Sequence, residues 1–442
     1  MNTSGKNTKG EINRRDFLKS SAAITLSAPF LNLSCSKGIK RPNIILIMAD
    51  DLGYECLSSY GGTSYNTPFL DELADTGVRF GNCYSTPLCT PSRVQIMTGK
   101  YNFRNYTEFG NLRPGEVTFA HLLKNAGYKT CIAGKWQLAG HYEGSNYKGV
   151  GTYPENSDFD EYFLWQVDKL GSRFWDPVLK KNGKIVQNLK NRYAPDVFCE
   201  YINDFVKRNR TGPFFVYYPM VLTHAPFIPT PDSNVEPENR KKGNKKYFGD
   251  MVSYMDKIVG RIIENLDELG IRENTLVIFT GDNGSPRNIT SQIGGQSIKG
   301  GKGLTIEAGI HVPLIVNWKG NSPKGTLCDD LIDFTDFLPT LLETVQFKIP
   351  DDFIFDGRSF LPQILGKMGN PREWIFCYYD PKWGRWGKKR YVMNKRWKLY
   401  ENGRLFDIKD DPLENKPLIV QDDSEETGAV RKELKYVLDS MK

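Results

Sequence analysis

The chain has 442 residues, 39% hydrophobic and 25% charged, an ordinary composition for a soluble globular protein with room for a large core. Its net charge of +7 is modest and suits anionic substrates better than nucleic acid. The sequence carries no RNA- or DNA-binding motif, no heptad run and no fixed-period repeat.

The first 36 residues read as an export signal. Asn13-Arg14-Arg15-Asp16-Phe17-Leu18-Lys19 resembles a twin-arginine motif, and the apolar stretch Ala22 to Leu33, interrupted by Pro29, is too short for a spanning helix. Leu33-Ser34-Cys35 suggests a lipoprotein cleavage site with Cys35 lipidated, although Asn32 stands where an aliphatic residue is preferred. The expected location is the bacterial cell envelope, either periplasmic or lipid-anchored.

The apolar run Asn43 to Met48 predicts a strand buried on both faces, ending in the carboxylates Asp50 and Asp51. Thr90 is a good N-cap and Pro91 suits a first helical position, so a helix is expected to run through Met97 and stop at Thr98-Gly99. Cys89 then sits at the positive end of the helix dipole, beside Arg93. A strand from Lys129 to Ala133 leads into Gly134-Lys135-Trp136, and one from Pro213 to Tyr218 leads into Thr223-His224. Val252, Met255, Val259, Ile262, Ile263, Leu266 and Leu269 recur at helical spacing. The strand Thr275 to Thr280 ends in Asp282 and Asn283, and Gly301-Lys302-Gly303 follows. Open α/β sheets place their sites at such strand ends, and Asp50, Asp51, Asp282 and Asn283 offer the oxygen ligands of a hard cation, Ca2+ or Mg2+.

A helix over Asp333 to Thr340 closes this part. Short strands follow at Trp374 to Tyr379, Arg390 to Asn394, Trp397 to Tyr400 and Arg404 to Asp407, and a helix at Glu425 to Met441. Trp383, Arg385 and Trp386 lie in a basic, aromatic stretch that either stacks on sugar rings or blunts edge strands. The other cysteines form no CxxC pair, so buried thiols are expected rather than a zinc site.

Cys89-Thr90-Pro91-Ser92-Arg93, continuing to Thr98-Gly99, resembles the signature of the formylglycine-dependent sulfatases of the alkaline-phosphatase-like superfamily. The resemblance runs from Arg41 to about Pro417. It implies an α/β fold, a large mixed, mostly parallel sheet sandwiched by helices with a small C-terminal antiparallel sheet plus helix. Residues 40–345 would be the catalytic domain and 346–442 a C-terminal α+β subdomain. It further implies oxidation of Cys89 to formylglycine (3-oxoalanine) by a maturating enzyme. The implied ligands of one Ca2+ are Asp50, Asp51, residue 89, Asp282 and Asn283. Lys135 and Lys302 would clamp the sulfate, Arg93 would orient the nucleophile, and His224 would protonate the leaving alcohol. The substrate would be a sulfated carbohydrate.

The sequence departs from the family at Gln137, where the Gly-Lys-Trp motif usually continues with histidine. Glutamine holds an oxygen by hydrogen bonds but accepts no proton at neutral pH. His141 is a nearby substitute, and His311 replaces the more usual arginine before Val312-Pro313. Two other readings are a phosphate or phosphonate ester hydrolase of the same superfamily and a sulfated-glycan-binding pseudoenzyme.

Overall fold

The computed structural model describes residues 41–140 and 150–441; the expected export signal with Cys35, and His141, lie outside the described residues. Strand β1 (Asn43–Ala49) is buried at every position. Its side chains alternate between two apolar layers, Ile45 and Ile47 on one side, Ile44, Leu46 and Met48 on the other. A strand apolar on both faces requires cover on both, which a helix–sheet–helix arrangement provides.

The large sheet contains β2 (Val78–Tyr84), β3 (Lys129–Lys135), β4 (Glu161–Trp165), β5 (Leu179–Lys181), β6 (Lys184–Ile185), β7 (Phe214–Pro219) and β8 (Thr275–Gly281). After the hairpin β9 (Thr290–Ile293) and β10 (Gln296–Lys299), it is completed by β11 (His311–Asn317) and β12 (Thr326–Asp333). The order is β12-β2-β11-β8-β1-β7-β3-β4-β5-β6. The run from β8 to β4 is parallel throughout. β11 is antiparallel between β8 and β2, and β5 and β6 add an antiparallel edge. The mixed, mostly parallel sheet expected from the sequence is therefore present, and its central strands present their carboxyl ends along one rim.

The helix Phe248–Glu268 buries Val252, Met255, Val259, Ile262 and Leu266, as their spacing predicts. The helix after β2 spans Cys89–Thr98 and starts two residues earlier than expected, with Leu88 and not Thr90 as N-cap. The Thr90 hydroxyl instead accepts a hydrogen bond from Gly110 N at 3.2 Å. Gly99, at φ 66°, ends the helix in the left-handed conformation that glycine adopts freely.

The small sheet pairs β13 (Ile375–Tyr379), β14 (Lys389–Met393), β15 (Trp397–Tyr400) and β16 (Leu405–Asp407) antiparallel. One face packs Phe376, Val392 and Leu399 against Leu434, Val437 and Leu438 of the last helix, Glu425–Ser440. The other packs Cys377, Tyr379 and Tyr391 against Ile310 and against Tyr84 and Leu88, on the segment leading to Cys89. The seven described cysteines are free thiols, six of them buried.

Candidate active site

Asp50 and Asp51 follow directly from β1, and the backbone there is tied to the neighbouring strand ends. Asp50 N donates to Leu222 O and Thr223 N to Asp50 O, both at 2.7 Å. Asp51 is non-glycine at φ 63°, and its N–H donates to Asp282 Oδ1 at 2.9 Å. The three aspartates, from two adjacent strands, are thereby locked into one cluster with almost no solvent contact.

Each carboxylate has its own cation. Lys135, ending β3, donates to both oxygens of Asp50 at 3.0 and 2.8 Å. Lys302 donates to Asp51 Oδ2 at 2.5 Å. Arg93, one turn into the Cys89 helix, donates to Asp282 Oδ2 at 2.9 Å and lies 3.9 Å from Asp50 Oδ1. Burial raises the Asp50 pKa, but Lys135, His224, Arg93 and Arg173 overcome it and hold the group well below the usual carboxylate range. Asp282 goes the other way: burial, then the Asp50 charge, push it up to about 7.

Cys89 lies at the centre of this group. Its Sγ and one oxygen each of Asp50 and Asp282 all lie within 4.8 Å of one another. Its S–H donates to Gln137 Oε1 at 3.4 Å. Burial raises the thiol pKa, and the opposing charges of Lys135 and Lys302 do not overcome it. A buried neutral thiol is a poor nucleophile but is well placed as the precursor of a modified side chain.

His224 Nδ1 is 2.6 Å from Ala225 O, and because a carbonyl only accepts, Nδ1 carries the proton. Nε2, 3.7 Å from Asp51 Oδ2, is then the proton-exchanging atom. Burial, followed by Arg173 and Lys302, depresses the imidazole to about 3.

The cluster fits a hard cation. Asn283 donates Nδ2 to Asp51 Oδ1 at 2.9 Å, while its Oδ1 is buried without a hydrogen-bond partner. An orphaned amide oxygen beside three buried carboxylates is the donor chemistry of Ca2+ or Mg2+.

The outlying candidates fall in different places. His311 is buried, with Nδ1 2.8 Å from Glu307 Oε1 and its ring stacked on Tyr54 at 4.0 Å. Trp383 stacks on Phe109 at 4.4 Å. Trp386 lies over Gly303, next to Lys302, so closely that a Cβ there would come 2.3 Å from its ring. Arg385 sits 5.5 Å from the centroid of that ring. Sequence reasoning missed Arg173, which comes within 3.6 Å of Asp50; a lone arginine in a loop, between Ser172 and Phe174, gives no local signal.

A model of the sulfatase family matches residues 42–347, and one for the C-terminal part of N-sulphoglucosamine sulphohydrolase matches residues 301–442. The chain is 33% identical over 372 residues to the N-acetylgalactosamine-6-sulfatase of Canis lupus familiaris, an alignment spanning 76% of this chain and 68% of that one. A solved structure from work on the metabolism of multiple glycosaminoglycans by Bacteroides thetaiotaomicron superposes with a TM-score of 0.73 at 25% identity, covering 91% of this chain and 99% of that one. Another, in complex with its substrate D-glucosamine-2-N,6-O-disulfate, gives 0.72 at 21% identity, covering 91% and 97%, a likeness of fold.

Proposed function

The chain belongs to the sulfatase family of the alkaline-phosphatase-like superfamily and is a sulfuric ester hydrolase; on that premise, we propose that it removes sulfate from sulfated carbohydrate. The observation that carries the reading is the convergence on Cys89 of two lysines, each held by its own buried aspartate. Such fixed cations stabilise charge on a transferring sulfuryl group far better inside a protein than in water.

Asp50, Asp51, Asp282 and Asn283, with residue 89, would hold one Ca2+, whose charge would offset the carboxylates and draw in an anionic ester. A formylglycine at residue 89 would supply the attacking hydroxyl that the thiol cannot. Around these groups the side chains have separable tasks. Lys135 and Lys302 bind nonbridging sulfate oxygens. Arg93 holds Asp282 in place, and Asp282 takes a proton released at residue 89. His224 delivers a proton from Nε2 to the departing alcohol, its Nδ1–H fixed on Ala225 O. An arriving sulfate ester adds the negative charge that restores proton affinity to a ring the cations otherwise suppress.

The carbohydrate assignment is supported by the relatives' names and by Trp386 beside Lys302, an aromatic wall suited to a sugar face. The twin-arginine-like leader and the Cys35 site support export to a bacterial envelope, after maturation by a formylglycine-generating enzyme. The test is a comparison of kcat/KM for matured protein on sulfated oligosaccharides and on matching phosphate and phosphonate esters. Preference for sulfated sugars is expected; preference for the phosphorus esters would transfer the protein to the alternative hydrolase class.

A further inference from the structure

Arg173 lies in the loop between β4 and β5, and three features make it more than a loop cation. Its guanidinium stacks 4.3 Å from the ring centroid of Trp165, the last residue of β4, which pairs in register with Lys135. The adjoining strand therefore holds a second cation next to Lys135. The side chain is 11% exposed and its Nη1 stands 3.6 Å from Asp50 Oδ2, outside hydrogen-bond range. Nη1 is also a buried donor without a hydrogen-bond partner. Asp50 attracts Arg173 by charge but gives Nη1 no hydrogen bond, and Lys135 donates to both of its oxygens. A buried guanidinium donor left without a hydrogen bond is costly unless something else accepts it.

Arg173 and Gln137 both act on Cys89, Arg173 by charge and Gln137 by hydrogen bond. Gln137, whose Oε1 accepts from Cys89, stands where the motif usually has a histidine and can carry no positive charge. We propose that Arg173 is a direct ligand of the substrate's sulfate group, supplying from the β4–β5 loop the positive charge that Gln137 lacks. The inference rests on the sulfatase reading above. It makes Arg173 a substrate-binding residue of the reaction, with its planar fork directed at two nonbridging oxygens.

Two readouts test it, one of which needs no turnover. In a Ca2+-containing Cys89→Ala background, inorganic sulfate is titrated by calorimetry into proteins carrying Arg173, Arg173→Ala or Arg173→Lys. Loss of affinity by at least about tenfold in Arg173→Ala is expected, with Arg173→Lys intermediate because a point charge replaces the fork. In matured enzyme, Arg173→Ala should lower kcat/KM for a sulfated sugar by about a hundredfold. Adding Gln137→His to Arg173→Ala should recover at least about tenfold of that loss. Thermal unfolding identifies any variant that fails to fold, in which case Arg173→Lys carries the test. Unchanged sulfate affinity in folded Arg173→Ala overturns the proposal, and so does a kcat/KM loss that Gln137→His leaves untouched. If matured wild type releases no sulfate from any sugar, the sulfatase reading fails instead, and the binding arm still judges Arg173.

Discussion

His224 is a neutral ring whose Nδ1–H is committed to Ala225 O, so any proton it gives away must leave from Nε2. Its part in the reaction should therefore depend on how much help the departing oxygen needs. With a sugar alcohol as leaving group, His224→Ala should cut kcat/KM by about 10²–10⁴-fold. With an activated aryl sulfate, whose phenolate leaves unaided, the loss should be no more than about tenfold. Equal losses on both substrates would remove His224 from the proton-transfer role. The sequence pointed to this histidine because Thr-His-Ala-Pro, following a strand, resembles the family's leaving-group acid. Arg173 gave no such warning, since its place depends on stacking against Trp165, eight residues away along the chain. Residues that reach a site by packing rather than by a strand end leave little trace in a single sequence.

Buried strands and the long helix were legible because their periodicity is strong. β1, β7 and β8 are short apolar runs bounded by turn residues, and Phe248–Glu268 repeats its apolar positions every three to four residues. The edge strands β5 and β6 are not, being two or three residues long and rich in lysine. The start of the Cys89 helix shifted because the Thr90 hydroxyl is engaged by Gly110 N, a tertiary contact that overrides capping preference. Another tertiary contact carries a prediction. Asp256, on the long helix, accepts from Phe69 N at 3.1 Å and Leu70 N at 2.8 Å, capping the helix Pro68–Asp75 from outside. Burial pushes its carboxyl from 3.8 up to about 6. Because the folded value lies above the unfolded one, its contribution is full below about pH 4 and lost as pH rises through about 6. Measured by thermal unfolding from pH 4 to 7, wild type should lose about 2 kcal/mol relative to Asp256→Asn. A difference that is flat or grows with pH would show that Asp256 is not the buried acid described.

The two sheets meet where selectivity would be set. Tyr379 and Tyr391 of the small sheet pack with Tyr84 and Leu88 on the approach to Cys89, and Trp386 from the β13–β14 connection lies over Gly303 beside Lys302. On the proposed reading, chemistry comes from the rim of the large sheet and one wall from the C-terminal part. The basic, aromatic composition of residues 382–398 signalled either a sugar wall or blunted edges, and the packing of Trp386 on Gly303 favours the wall at that residue. Trp386→Ala should accordingly raise KM for sulfated oligosaccharides about tenfold while leaving kcat on a small aryl sulfate within about twofold, since stacking of this kind contributes on the order of 1–3 kcal/mol. Equal effects on both substrates would reduce Trp386 to a packing residue.

The most direct measurement of the central claim is sulfate released from a sulfated oligosaccharide by protein coexpressed with a formylglycine-generating enzyme, set against Cys89→Ala prepared the same way. Release by wild type with none from Cys89→Ala is the expected result. Equal release by both would place the chemistry away from residue 89, and silence from wild type with residue 89 demonstrably oxidised would contradict the assignment of sulfated carbohydrate as its substrate.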